Sequence, residues 1–205
     1  KYWMHNGYLM AEGEKMSKSL GNFYTVHDLL QEFPGEAIRL TLLKTHYRQP
    51  LDFTKAGIEE AKRELDGFYG ALRGADGDPA IEIETPPMIE ALSDDLNTPL
   101  ALSHLHELAG ELNKAEGERK PEAFSRLMTA GKILGLLGQD PEAWFKEKPV
   151  GVASLEDAAI EELIAERDRA REDKDFARAD EIRDELASKG VLLEDGAEGT
   201  TWKRG

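Results

Sequence analysis

Lys15-Met16-Ser17-Lys18-Ser19 places two ammonium groups and two hydroxyls within five residues, on a polar segment flanked by Gly13 and Gly21. Lysine is a compact cation on a flexible stem. Two of them on a glycine-hinged loop can close on a negatively charged group, where charge contacts formed in a transition state accelerate chemistry. Ser17 and Ser19 can hydrogen-bond phosphate oxygens or hold the loop's shape, and Met16 can anchor the loop by packing. The plain alternative is a solvated surface loop, and two lysines at this spacing say no more than that by themselves.

A second group stands near the end of the sequence, where Trp202 is followed by Lys203 and Arg204. An aromatic face beside cations suits a splayed RNA base and its phosphate. It suits equally a tryptophan packed against the preceding helices, and both readings stay open. Other candidates are weaker. Tyr2, Trp3 and His5 precede the lysine loop and could line a pocket or pack in a core. His46 with Arg48 could bind phosphate or a metal, but structural hydrogen bonding is the better reading. His104 and His106 are two apart and face different sides of a helix, which makes them poor joint ligands. Asp94, Asp95 and Asn97 suggest a turn and helix cap before Pro99 more than a cation site.

The elements that must position these groups are mostly helical. Residues 1–12 read as a strand or two leading into the loop. Thr25 and Asp28 form a capping box before a short helix ending near Phe33, and residues 36–46 form the next, with Ile38, Leu42 and Leu43 on one face. Thr54 caps a long helix to about Arg73, on which Ile58, Ala61, Leu65, Phe68, Tyr69 and Leu72 recur at helical spacing. Pro86 and Pro87 open a short helix. Thr98 caps another with Pro99 at its first helical position, running to about Lys114, and Pro121 opens one that ends near Gly138. Together they predict an antiparallel bundle. Residues 146–154 read as a linker. Ser154 and Asp157 resemble a second capping box, followed by two charged helices over about 155–172 and 175–188 whose charges form a solvated face. Two short strands around a glycine-containing turn close the sequence.

The 205 residues carry a net charge of −15. Six Lys/Arg against five Asp/Glu leave residues 1–50 near neutral, so the acidity lies in the remainder. RNA binding by such a chain requires local basic patches or stacking. With no cysteine there is neither a disulfide nor a thiolate metal site. No apolar run approaches membrane-spanning length, and there is no signal-peptide pattern.

The five-residue string followed by Leu20-Gly21-Asn22 is the KMSKS signature of class I aminoacyl-tRNA synthetases, and further segments resemble the cysteinyl-tRNA synthetase family. Glu36-Ala37-Ile38-Arg39-Leu40 stands where that family has a DALR-like helix. His46-Tyr47-Arg48-Gln49-Pro50-Leu51-Asp52-Phe53 is similar to its HYRSPLDF, with Gln49 replacing serine. Asp94-Asp95-Leu96-Asn97-Thr98-Pro99 is similar to its DDFNTP, with Leu96 for phenylalanine. Leu193–Gly196 and Gly199–Arg204 resemble its C-terminal end, which suggests a native C-terminus, while the abrupt apolar start suggests entry into the middle of a domain.

The resemblance implies a mainly α chain of four parts. Residues 1–50 close a Rossmann-type catalytic domain and carry the KMSKS loop and connecting helices. Residues 51–145 form the DALR-like, tRNA-binding bundle, 146–154 the linker, and 155–205 a small α+β anticodon-binding domain of two helices and a hairpin. It implies a ligase that activates cysteine with ATP and Mg2+ and transfers it to tRNA(Cys), as a monomer in the cytoplasm. In that ligase Lys15 and Lys18 are catalytic, Lys15, Met16, Ser17, Lys18 and Ser19 bind ATP, and Trp202, Lys203 and Arg204 meet tRNA. The ATP motif opposite the loop and the zinc ligands that read the thiolate belong upstream, so this chain is expected to hold no metal and to be inactive alone. Two other readings compete: a cysteine ligase with a small amine acceptor, like the mycothiol-making relatives, against which residues 155–205 count; and a non-catalytic tRNA-binding module, against which the KMSKS string counts.

Overall fold

The computed structural model describes residues 1–11, 13–17, 21, 23–75, 77, 78, 81, 83–147, 155–196 and 199–204. It separates into two compact units, Lys1–Pro141 and Glu142–Gly205.

The first unit opens with strands β1 (Leu9–Ala11) and β2 (Glu14–Lys15), then helices α1 (Val26–Leu29) and α2 (Gly35–Leu43), strand β3 (Leu51–Phe53), and helices α3 (Lys55–Arg73), α4 (Pro86–Ser93), α5 (Thr98–Lys114) and α6 (Arg119–Leu134). The strands form one small sheet in the order β2-β1-β3, with β2 antiparallel and β3 parallel to β1. Ala11 and Phe53, paired across β1 and β3, are both buried and seat the sheet.

Local rules explain the helix starts. The Thr25 side chain accepts from the Asp28 N–H and the Thr54 side chain from the Gly57 N–H, each satisfying an orphan donor of the first turn. The apolar face of α3 is the one its spacing predicts: Ile58, Ala61, Leu65, Phe68, Tyr69 and Leu72 are all buried. Burying a large apolar side chain contributes roughly 1.5–3 kcal/mol, so this stripe is the spine of the bundle.

Three expectations need correction. On α2 the buried positions are Ala37, Ile38, Leu40 and Thr41, while Leu42 is largely exposed, because α2 packs on α3 and α5 along a face rotated from the assumed one. Helix α5 is capped by Asn97, whose side chain accepts from the Leu100 N–H at 3.2 Å, leaving Thr98 and Pro99 as its first helical residues. Helix α6 stops at Leu134 rather than Gly138, since Gly135 turns left-handed at φ 67° and ends the ladder.

The second unit comprises α7 (Pro141–Lys146, beginning at the boundary residue), α8 (Asp157–Glu172), α9 (Phe176–Ser188) and the antiparallel hairpin β4 (Val191–Gly196) with β5 (Gly199–Arg204). Its core is Ile160, Ile164, Ile182, Leu186, Val191 and Trp202, with the hairpin closing over the two long helices. Asp175 caps α9. Residues 148–154 of the expected linker, including Ser154 of the expected capping box, lie outside the described residues.

Candidate functional site: the lysine loop and its supports

The loop begins on a minimal hairpin. β2 meets β1 through Met10 opposite Lys15 and Ala11 opposite Glu14. Between them Gly13 sits at φ 78°, a conformation that costs glycine nothing and other residues about a kcal/mol or more. Its N–H donates to Asp52 Oδ1 at 2.9 Å, so β3 reaches across the sheet to hold the turn. Lys15 is exposed at the hairpin's end, and Met16 and Ser17 are half-buried after it. Lys18 and Ser19 lie outside the described residues.

Just past the loop, α2 is fastened to the far end of α6. Arg39 Nε donates to the Leu134 carbonyl at 2.6 Å, satisfying one of that helix's orphan acceptors. The Glu36 carboxylate accepts from the N–H groups of Leu137 and Gly138, both at 2.9 Å, and from the Tyr69 hydroxyl at 3.0 Å. The Tyr69 hydroxyl also accepts from the Gln139 N–H. The DALR-like segment therefore acts through its two charged residues as a clamp on the bundle's last turn.

A second lock joins the segment before β3 to the turn before α5. Asp95 and Leu96 are both left-handed, at φ 53° and 55°. For non-glycine residues such conformations cost of order 1–3 kcal/mol each and persist only when their surroundings hold them. The hold is a fork of hydrogen bonds to the Asp95 carboxylate: from Arg48 Nε at 2.6 Å, from Arg48 Nη2 at 2.9 Å and from the Tyr47 hydroxyl at 2.6 Å. Arg48, and after it Tyr47, hold the Asp95 carboxyl well below the usual carboxylate range. His46 stacks on Tyr47 and lies 3.8 Å from the same carboxylate. His46 Nδ1 accepts from the Arg48 N–H at 3.3 Å, so both residues make the structural hydrogen bonding expected of them, and Asp95 anchors that of Arg48.

The remaining candidates separate. His104 pairs with Glu107 and His106 with Glu64, on different sides of α5. Tyr2 and Trp3 are 91% and 90% exposed, which removes core packing within this chain as their role. Among the described residues no group of three His, Cys, Asp or Glu could hold a metal ion. No described helix is long and apolar enough to cross a membrane.

In the second unit Trp202 and Arg204 turn inward, in keeping with the alternative in which the tryptophan packs against the preceding helices. Trp202 is 1% exposed, and its indole N–H donates to Glu161 Oε1 at 2.7 Å. Lys146 Nζ and Arg204 Cζ lie over its ring at 5.0 and 5.2 Å, a cation–π contact made within the fold. Arg204 is buried as well: it donates to the carbonyls of Lys146 and Leu155, each at 3.0 Å, and pairs with Asp157. The ring is covered within the fold, and the guanidinium has three acceptors there. Of the three tail residues only Lys203 points outward, paired with Glu194 at 2.6 Å. Nearby, Arg167 forks onto Asp195 at 2.9 and 2.8 Å, holding that carboxyl well below its ordinary range.

Sequence reasoning had missed Asp52, Glu36 and Tyr69 as polar supports. The available signals were an acidic residue in the middle of a short apolar strand, a carboxylate in a helix's first turn, and a tyrosine in an apolar stripe, whose hydroxyl must find a partner when buried.

Comparison with known proteins gives three family matches along the chain. Residues 1–63 match the class I (C) tRNA synthetase catalytic domain, residues 88–138 the DALR domain, and residues 156–202 the cysteinyl-tRNA ligase anticodon binding domain. A class I catalytic-domain match that contains the KMSKS string, followed by a DALR match, defines the C-terminal portion of a class I aminoacyl-tRNA synthetase. Within that class, the chain belongs to the cysteine–tRNA ligase family. It is 60% identical to the cysteine–tRNA ligase of Paramagnetospirillum magneticum, 57% identical to that of Rhodospirillum centenum and 53% identical to that of Rhodospirillum rubrum. These matches cover 100%, 98% and 100% of this chain but 45%, 44% and 45% of the respective relatives. The chain thus spans less than half the length of the curated relatives it matches.

Proposed function

We propose that the protein carrying this chain joins cysteine to tRNA(Cys) in two steps, through a cysteinyl adenylate made from ATP with Mg2+. The observation that carries this is the lysine loop itself, presented on an exposed hairpin end in a chain whose family match begins with a class I catalytic domain. Attack of the cysteine carboxylate on the α-phosphate expels pyrophosphate, and negative charge grows on the phosphate oxygens as the bond breaks. The ammonium groups of Lys15 and Lys18 stabilise that charge, Ser17 and Ser19 offer hydroxyls to phosphate oxygens, and Met16 seats the loop. Preorganised contacts of this kind act on the transition state more than on bound substrate.

The bundle of residues 51–145 serves as the tRNA-holding part, and the small domain of residues 155–205 meets the anticodon. The match of 156–202 to an anticodon binding domain supports this against an acceptor as small as an amine. Because Trp202 and Arg204 are internal, the RNA contact of the small domain falls on its outward surface, where Lys203 stands. The family resemblance puts the thiolate-reading zinc on residues outside this chain, and no step here passes through it. A monomeric cytoplasmic enzyme fits the acidic, cysteine-free composition.

Cysteine-dependent ATP–pyrophosphate exchange tests the assignment in the full-length protein. Lys15→Ala or Lys18→Ala should each slow exchange by roughly a hundred- to a thousandfold, the effect of losing one preorganised charge contact. The KM for cysteine should barely change. Normal exchange in both variants would remove the loop from the reaction.

A further inference from the structure

The loop's first lysine is carried by very little structure. β2 has two residues, and a hairpin this short is not stable alone. The place of Lys15 therefore depends on what holds the turn before it. Open space lies where a Gly13 Cβ would stand. The hold comes from β3. Lys15 is opposite Met10, Met10 is opposite Asp52, and Asp52 Oδ1 accepts from the Gly13 N–H at 2.9 Å. Asp52 is itself well fixed. Leu51 before it donates its N–H to the Tyr8 carbonyl at 2.9 Å, Phe53 after it is 4% exposed, and Thr54 caps α3. A carboxylate on a seated strand thus grips the turn before a two-residue strand.

We propose that Asp52 is a positioning residue for adenylate formation: by holding the Gly13 turn against β3, it sets the hairpin from which Lys15 and the rest of the loop meet the ATP phosphates. The proposal rests on the assignment of this loop to ATP. Asp52 holds a backbone N–H, so it acts through where it puts Lys15. Small misplacements of charged groups are costly, since about 1 Å can lower a rate by roughly a hundredfold.

The test uses the full-length protein with Asp52→Ala, Asp52→Asn and, as reference, Lys15→Ala, in cysteine-dependent ATP–pyrophosphate exchange at varied ATP and cysteine, with thermal melting of each. Asp52→Ala should lower kcat about tenfold, the size expected of a displacement well under 1 Å. Its KM for cysteine and its melting temperature should stay at wild-type values. Asp52→Asn keeps an oxygen that can accept from Gly13 and should recover most of the rate. Wild-type exchange in Asp52→Ala beside slow exchange in Lys15→Ala overturns the positioning role and leaves the loop's assignment standing. Wild-type exchange in both overturns both. An Asn variant as slow as the Ala variant overturns the proposal, because the hydrogen bond is then not the cause. So does loss of cooperative melting in both Asp52 variants, which would make Asp52 a residue of stability.

Discussion

The two hairpins of this chain carry similar residue types and put them to opposite use. The β1–β2 hairpin is short, turns through a left-handed glycine and ends on an exposed lysine. The β4–β5 hairpin pairs six residues with six and sets Trp202 and Arg204 against α8 and its approach. In a strand, alternate residues face the same side, so Trp202 and Arg204 go inward together and Lys203 goes out. Cations beside an aromatic or on a loop say what chemistry a segment could perform. Whether that chemistry is offered to a ligand or satisfied inside depends on whether the strand pair is long enough to bury a face.

If that contrast holds, the largest effect on stability belongs to Trp202→Ala. Truncating a buried tryptophan costs ~3–5 kcal/mol through lost transfer energy and the cavity left behind. The variant should show a strongly lowered melting transition for the small domain, with near-normal ATP–pyrophosphate exchange, since that reaction needs no tRNA. Unchanged melting with impaired aminoacylation would put the ring on RNA after all and erase the contrast. Arg204→Ala comes next. It strips two carbonyls and Asp157 of their partner, and a buried polar group left unsatisfied costs ~1–3 kcal/mol. The same transition should fall, by less than in Trp202→Ala; an unmoved transition would mean that this guanidinium is available to a phosphate.

Much of this was legible from residues alone where one local rule governs. Thr25 and Thr54 cap their helices as their spacing foretells, and the stripe on α3 is the face that becomes the core. Local rules fail where a distant partner decides. Nothing near Leu42 shows that α2 rolls to bury Leu40 and Thr41, because α3 and α5 choose that face. Asn97 displaces Thr98 as cap because the turn before it is bent by Asp95, which Tyr47 and Arg48 hold from far along the sequence. The tail was nearly legible: strand alternation already separates Lys203 from Trp202 and Arg204. What the sequence lacked was any sign of Lys146, whose carbonyl and ammonium complete the setting of both inward residues.

Each unit also carries one arginine–aspartate fork, which allows a pH comparison. Asp195 is held low by Arg167, then by Thr200, and Asp95 by Arg48, then by Tyr47. A carboxyl whose folded pKa lies below its unfolded value contributes stability above the unfolded pKa of about 3.9, and loses it as pH falls toward the folded value. Both units should therefore weaken below about pH 4. The small domain should weaken more, because the Arg167 side chain is only 7% exposed and loses a charge partner inside the fold, whereas Arg48 is 54% exposed and returns to solvent. Melting as a function of pH checks this. Asp195→Asn should flatten the acid limb for the small domain and leave that of the bundle unchanged; an equal acid limb in Asp195→Asn and wild type would show that the Arg167 fork contributes little.

The smallest expected stability effect is that of Lys15→Ala, and it is the sharpest test of the contrast. The side chain is exposed, sits at the end of a two-residue strand and fills no core volume. Surface substitutions away from caps, strained turns and buried polar groups usually change stability by less than ~0.5 kcal/mol. The Gly13 turn and its bond to Asp52 use backbone and a different side chain, so they survive the change. Melting should therefore be indistinguishable from wild type while pyrophosphate exchange collapses. A residue that matters to rate and not to stability is what a group offered to a ligand should look like, and it is the reverse of what Trp202 should show. Were Lys15→Ala to destabilise the first unit as Arg204→Ala does the second, its ammonium would be part of the fold, and the loop's catalytic charge would have to come from Lys18.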